Sequence, residues 1–293
     1  MKLKNLYQLP ILLVLTAMVF FTSCNDDEKT TPTLGEVTLD RSPIGLDQVV
    51  IASCLMPLGS GVTEEGCFFT LNGGAKQQAR ISGGRITATF RTTKLGQNVV
   101  TFYVTTSSNK VIESTGTFNV IATDVRNSFW NEGIFWSLVN TPELTKSSNS
   151  LFVGRLAQDN LSSFETPLFL EYSFINNRLS GVTERSEIVF EEGEEGNYLA
   201  KYTEIKSALT AIYGASITEF ELIFSNGDAE ILLPYDADRE GNEEYALQIG
   251  ESVFSGEASL RSEFKTAKTL VIFEVYKDVR SGKVAFFRTY EPN

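Results

Sequence analysis

PLFLEYSFINNRLSGVTERSEIVF, residues 167–190, decides the fold of the larger part of this chain. Two runs rich in aromatic and β-branched residues flank Asn176-Asn177, a pair suited to a tight turn, so the stretch predicts a β-hairpin. The same grammar recurs downstream, in EFELIFS and AEILLPY about Asn226-Gly227 and in TLVIFEVY and KVAFFRTY about Ser281-Gly282. Hairpins join neighbouring antiparallel strands, so three of them predict an antiparallel sheet. A different period separates the first hairpin from the second. Tyr198, Tyr202, Ile205, Leu209 and Ile212 recur at spacings of four and three and form one apolar stripe, with Asn197 placed to cap the helix and Gly214 to end it. A shorter helix is expected after Ser128, where Phe129, Ile134, Phe135 and Leu138 fall on one face ahead of Pro142. Residues 123–293 therefore read as an α+β domain, one or two helices covering a curved antiparallel sheet.

Upstream, residues 35–122 carry strand signals throughout: VVIASCL, CFFTL, ITATF, NVVTFYV and VIESTGTFNV, separated by turn-formers such as NGG, SGG and SSNK. Ile86, Ala88 and Phe90 alternate with polar neighbours, as a half-buried strand requires. Five to seven short strands of this kind make a small β-sandwich. The run from Gly96 to Val120 resembles the last hairpin of bacterial Ig-like domains, without the Trp of antibody domains and with cysteines only thirteen positions apart, so the resemblance is one of architecture. The whole is a multidomain β plus α+β chain: an N-terminal Ig-like β-sandwich, then the α+β domain. Charge separates the two parts, since residues 35–122 hold 7 basic and 6 acidic side chains and residues 123–293 hold 15 and 28.

Composition excludes several functions. With 37 acidic against 25 basic residues the net charge is -12, which repels a phosphate backbone and makes nucleic acid an unsuitable partner. The chain has no histidine, and with it go Ser-His-Asp, Cys-His and HExxH chemistry. No Gly-rich phosphate loop joins a strand to a helix; NGG and SGG read as ordinary turns.

The amino terminus supplies an address. Lys2 and Lys4 precede an apolar stretch from about Leu9 to Phe21, too short to span a bilayer and suited to a signal peptide. Phe21-Thr22-Ser23-Cys24 resembles a bacterial lipobox, with Phe21 where Leu is usual, and Asn25-Asp26-Asp27-Glu28-Lys29 resembles the acidic export signal of Bacteroidetes surface lipoproteins. The resemblance implies a signal peptide over residues 1–23, lipid on Cys24, a flexible tether over 24–34, and an outer-membrane protein anchored by its N-terminal lipid and facing the cell exterior. Cys54 and Cys67 then remain as an even pair in an oxidising compartment, where a disulfide is the expected outcome. Closing so short a loop stabilises by roughly 3 kcal/mol in the chain-entropy description.

Candidate sites are few. Asp236, Asp238, Glu240, Asn242 and Glu244 place oxygen ligands at alternate positions about Gly241, like the first half of a calcium loop, although Leu247 stands where a bidentate Glu is needed and strands are expected on both sides. No other cofactor is indicated. Glu191, Glu192, Glu194 and Glu195 read as a solvated run favouring a helix N-terminus. Trp130 and Trp136, beside Phe129 and Phe135, are either an aromatic platform for sugar rings or the buried face of a short helix. Paired carboxylates could serve a glycosidase, but no single acid stands out among so many. The leading expectation is a non-catalytic, surface-anchored binding protein for an extracellular glycan, peptide or protein. The alternatives are an accessory subunit of a surface fibre, as in fimbrillin-like adhesins that assemble by strand exchange, and a carboxylate-based glycoside hydrolase.

Overall fold

The structure, a computed structural model, describes residues 32–57, 61–159, 161, 166–218, 222–226, 229–233 and 242–293. The chain forms two compact units that interleave in sequence. The first draws on residues through Asp40, Ile51–Thr89 and Asn98–Phe118, and the second on Arg41–Val50, Phe90–Gln97 and Asn119–Asn293.

Nine strands precede residue 122: β1 (Thr38–Leu39), β2 (Ile44–Gly45), β3 (Val49–Leu55), β4 (Cys67–Leu71), β5 (Gln77–Gln78), β6 (Arg80–Ser82), β7 (Arg85–Arg91), β8 (Gly96–Thr105) and β9 (Val111–Ile121). They make the two sheets of a sandwich, ordered β1-β3-β7-β6 and β2-β9-β8-β4-β5. Alternation does the sorting, because successive side chains on a strand point to opposite faces. In the first unit Ala52 and Cys54, Ile86 and Ala88, and Val100, Phe102 and Val104 all turn inward and are buried. Cys54 and Cys67 are both buried in this core as free thiols, unbridged in this structure.

The second unit is built on one nine-stranded sheet. Its strands are β10 (Thr145–Lys146), β11 (Leu151–Leu156), β12 (Leu168–Ile175), β13 (Arg178–Ile188), β14 (Leu222–Asn226), β15 (Ala229–Leu233), β16 (Ala258–Lys265), β17 (Thr269–Lys277) and β18 (Val284–Pro292). They lie in the order β10-β11-β12-β13-β18-β17-β16-β14-β15, each antiparallel to its neighbours. The three expected hairpins are β12–β13, β14–β15 and β17–β18. Asn176 and Asn177 both take left-handed backbone, φ 51° and 62°, which a two-residue turn matched to the strand twist demands and which Asn tolerates.

Three helices accompany the sheet among the described residues: α1 (Ile134–Asn140), α2 (Asn197–Tyr213) and α3 (Glu243–Ser255). The stripe read from the sequence is the buried face of α2, where Tyr198, Tyr202, Ile205 and Leu209 pack on the sheet. Tyr202 stacks on Phe273, with centroids 5.0 Å apart. Two expectations need correction. Gly196 rather than Asn197 is the cap residue of α2. The acidic segment expected to join two strands leads instead into α3, whose Tyr245, Ile249 and Val253 form a stripe of only three residues. Asn242 caps α3 by accepting a hydrogen bond from the Tyr245 backbone N–H, and left-handed Gly256 ends it. Where α2 and α3 meet, a Cβ on Gly250 would stand 1.9 Å from the Glu195 carbonyl oxygen, so only glycine fits.

Buried polar side chains bind the early segments of the second unit to its later ones. The Gln48 side chain accepts from the Gly45 N–H (2.9 Å) and donates to the Asn127 carbonyl (2.9 Å), while Thr92 Oγ1 accepts from the Gln48 N–H (3.0 Å). Arg41 pairs with Glu132 at 3.1 Å, and Asn140 accepts from the Val49 N–H.

Candidate functional site

The inner face of the sheet, mostly apolar, carries a charged cluster. Inward parity on β13 selects Val182, Glu184, Ser186 and Ile188, and on β18 it selects Phe286, Arg288 and Tyr290. Register then sets Glu184 opposite Arg288. Arg288, 1% exposed, donates from Nε to Glu184 Oε2 at 2.7 Å and from Nη1 to Asp159 Oδ2 at 2.9 Å. The Tyr290 hydroxyl donates to the same Glu184 oxygen at 3.0 Å, and Arg126 donates to the other. Two guanidinium groups thus face two carboxylates, and the cluster sums to zero charge.

Protonation states follow from that arrangement. Burial alone would raise the Glu184 pKa, but Arg288 and Arg126 outweigh it and hold the carboxyl below its ordinary value. Burial next to Glu184 raises Tyr290 well above the usual phenol range, and Tyr213 is raised for the same two reasons.

Arg126 reaches the cluster from a tight turn. Val125 and Ser128 exchange backbone hydrogen bonds of 3.1 and 2.9 Å, which makes Arg126 the first central residue, with φ 47°. Glycine is the usual occupant of that place, and a side chain there costs about 1–2 kcal/mol.

Over the cluster opens a cavity of about 760 Å³, within the size range of ligand pockets. Arg126, Glu184, Asp159 and Tyr290 contribute charged and polar lining; Leu161, Leu168, Ile212 and Tyr213 add apolar and aromatic surface; Asp124, Asn127, Lys268 and Thr269 also border it. Lys268 and Asp124 pair at 2.9 Å.

The two tryptophans serve different ends. Trp130 packs against the core, its indole N–H donating to Thr269 Oγ1 (2.9 Å) and its backbone N–H to Asp124 Oδ2 (3.0 Å), so both acceptors belong to residues that line the cavity. Trp136 is half-buried, with the Arg41 guanidinium 3.6 Å above its ring and Phe135 edge-on at 4.9 Å. Phe135 is 65% exposed. The aromatic stretch is therefore neither wholly core nor a flat platform.

Of the calcium candidates, Asp236, Asp238 and Glu240 lie outside the described residues, as does Cys24. Asn242 gives its side-chain oxygen to the helix cap, and Glu244 sits exposed in the first turn of α3. Among the described residues no group of three or more Cys, Asp or Glu side chains is placed to hold a metal ion. The cluster of Arg126, Asp159, Glu184, Arg288 and Tyr290 did not emerge from sequence reasoning. Its only signal was parity, a Glu and an Arg at the apolar positions of otherwise alternating strands.

No protein-family model matches the chain, and no curated protein matches it. Several solved structures show slight similarity. A carbohydrate-binding module described in a study of the promiscuous specificity of the β-sandwich superfamily shares 13% identity over 89% of this chain and 91% of its own, with a TM-score of 0.27. CopC from Methylosinus trichosporium OB3b shares 17% identity over 31% of this chain and 94% of its own, TM-score 0.24. The sporulation control protein Spo0M from Bacillus subtilis shares 7% over 76% and 97%, TM-score 0.23.

Proposed function

We propose that the protein is a non-catalytic binding protein, tethered at the cell exterior through lipid on Cys24, which takes a glycan or peptide ligand into the cavity over the Glu184–Arg288 cluster. One observation carries the non-catalytic part. A general acid needs a raised carboxyl pKa and a glycosidase needs two carboxylates free to change roles. Here Glu184 is held ionised by two arginines and Asp159 is paired with Arg288, while Tyr213 and Tyr290 are kept protonated. Groups fixed in this way orient a ligand and shape a cavity without exchanging protons with it. The lipid anchor is supported by the lipobox-like Phe21-Thr22-Ser23-Cys24 and the acidic residues after it.

Trp130 offers the test, because its two hydrogen-bond acceptors border the cavity. In a Trp136→Phe variant it is the sole indole, and its emission should shift saturably as the ligand is titrated from a panel of oligosaccharides and peptides. Emission unmoved by the whole panel, in protein whose melting is normal, rejects the cavity as the binding site. Steady turnover of any oligosaccharide rejects the non-catalytic reading.

A further inference from the structure

One charged group beside the cavity is only partly engaged. Arg126 gives Nη1 to Glu184, its side chain is 24% exposed, and its remaining N–H groups have no partner among the described residues. The backbone holds this residue at a turn position that glycine would fill more cheaply, so its guanidinium is set against the cavity at a conformational cost. Arg126, Arg288, Glu184 and Asp159 cancel, as do Lys268 and Asp124. An anion arriving at the open edge of Arg126 therefore meets carboxylates that each have a cationic partner, including Asp47, which also borders the cavity and lies 3.6 Å from Arg91. A planar guanidinium with one edge free matches a carboxylate through two parallel hydrogen bonds.

The surroundings favour a sugar over a peptide as the bearer of that carboxylate. Tyr213 borders the cavity, and its hydroxyl, kept protonated by burial, makes no hydrogen bond among the described residues. Ring and hydroxyl together suit a saccharide, which presents C–H faces and hydroxyl rims. The turns bordering the cavity satisfy their own backbone, Ser128 N–H to the Val125 carbonyl and Thr266 N–H to the Thr269 carbonyl, so they offer no open strand edge for a peptide to pair with. We infer that the cavity takes an acidic saccharide, a uronate-type sugar whose carboxylate docks on the free edge of Arg126. This inference deepens the binding reading above and rests on it.

Calorimetric titration of the mature protein with four probes tests it: a galacturonate oligomer, its methyl ester, the neutral galactose oligomer, and a short peptide with a free carboxyl terminus. The expected result is that the uronate binds about tenfold to a hundredfold tighter than its ester or the neutral oligomer. Arg126→Gln should abolish that preference while leaving the weaker binding of the neutral oligomer, and Arg126→Lys should retain part of it. The ester varies the ligand alone, so the test stands even if Arg126→Gln does not fold. Equal binding of uronate, ester and neutral oligomer overturns the carboxylate inference and leaves the binding cavity standing. Binding of the peptide with all three saccharides silent overturns the saccharide. Silence from all four probes overturns the inference, and the wider oligosaccharide and peptide panel read by Trp130 then decides the cavity reading separately.

Discussion

Replacing Glu184 by Gln is the sharpest probe of what holds the second unit together. The carboxylate accepts from Arg288 at 2.7 Å, from Tyr290 at 3.0 Å and from Arg126. An amide keeps the shape, but it removes the charge opposite two guanidinium groups and turns an N–H₂ toward one side's donors. Breaking a buried pair by removing one partner costs about 3–5 kcal/mol. For a domain of 150–250 residues that is a fall of about 6–20 °C in Tm. Both tryptophans, Trp130 and Trp136, lie in the second unit, so a tryptophan-detected melt follows that unit alone. The pH profile adds a second readout. Because the native Glu184 pKa is depressed below its ordinary 4.5, the unfolded chain binds the proton more readily. The stabilisation is therefore complete above that value and is lost as pH falls through the depressed one. Glu184→Gln should flatten this part of the acid slope. A variant that melts within about 2 °C of wild type, a smaller shift than even ~1 kcal/mol should give, would show that burial of the four charges cancels their attraction and that the cluster does not hold the unit together.

Four further outcomes are expected. Gly250→Ala sets a methyl group 1.9 Å from the Glu195 carbonyl oxygen, backbone against backbone, and should destabilise by about 1–3 kcal/mol or more in the same melt. Cys54, whose thiol burial pushes up to about 11, and Cys67, raised for the same reason, should resist a thiol reagent in native reduced protein and react on unfolding. Protein matured in an oxidising compartment should show no titratable thiol at either position even when unfolded, and two free thiols there would reject the disulfide. Cys24→Ala should move the protein from the membrane to the soluble fraction and abolish fatty-acid labelling; a variant still membrane-bound rejects the lipid anchor.

What was legible in the sequence was local. Asn176-Asn177 and the runs beside it specify a hairpin through neighbours within a few positions, and the stripe from Tyr198 to Leu209 specifies α2 in the same way. The α3 helix escaped because its stripe is short and the acids before it imitate a solvated connection. The cluster escaped for another reason. Glu184 and Arg288 are 104 positions apart, and nothing near either tells of the other, so each reads as a surface charge until the register sets them opposite. Arg126 is harder still, since its role depends on a left-handed turn residue whose identity does not signal that backbone. The membership of Arg41–Val50 in the second unit has the same origin, because Gln48 finds Asn127, and Arg41 finds Glu132, only across 79 and 91 positions, and Phe90–Gln97 joins through Thr92, which finds Gln48 across 44.

That interleaving governs how the protein can be made and remade. A chain synthesised amino terminus first delivers Arg41 and Gln48 long before Asn127, Glu132 and Asn140, so the Arg41–Val50 stretch of the second unit waits with polar side chains unanswered while the first unit is being completed. Contacts of such long range slow folding. Recombination meets the same obstacle, because a single breakpoint near residue 122 would carry away a unit lacking two of its three segments. The pair should be inherited, truncated and grafted as one piece.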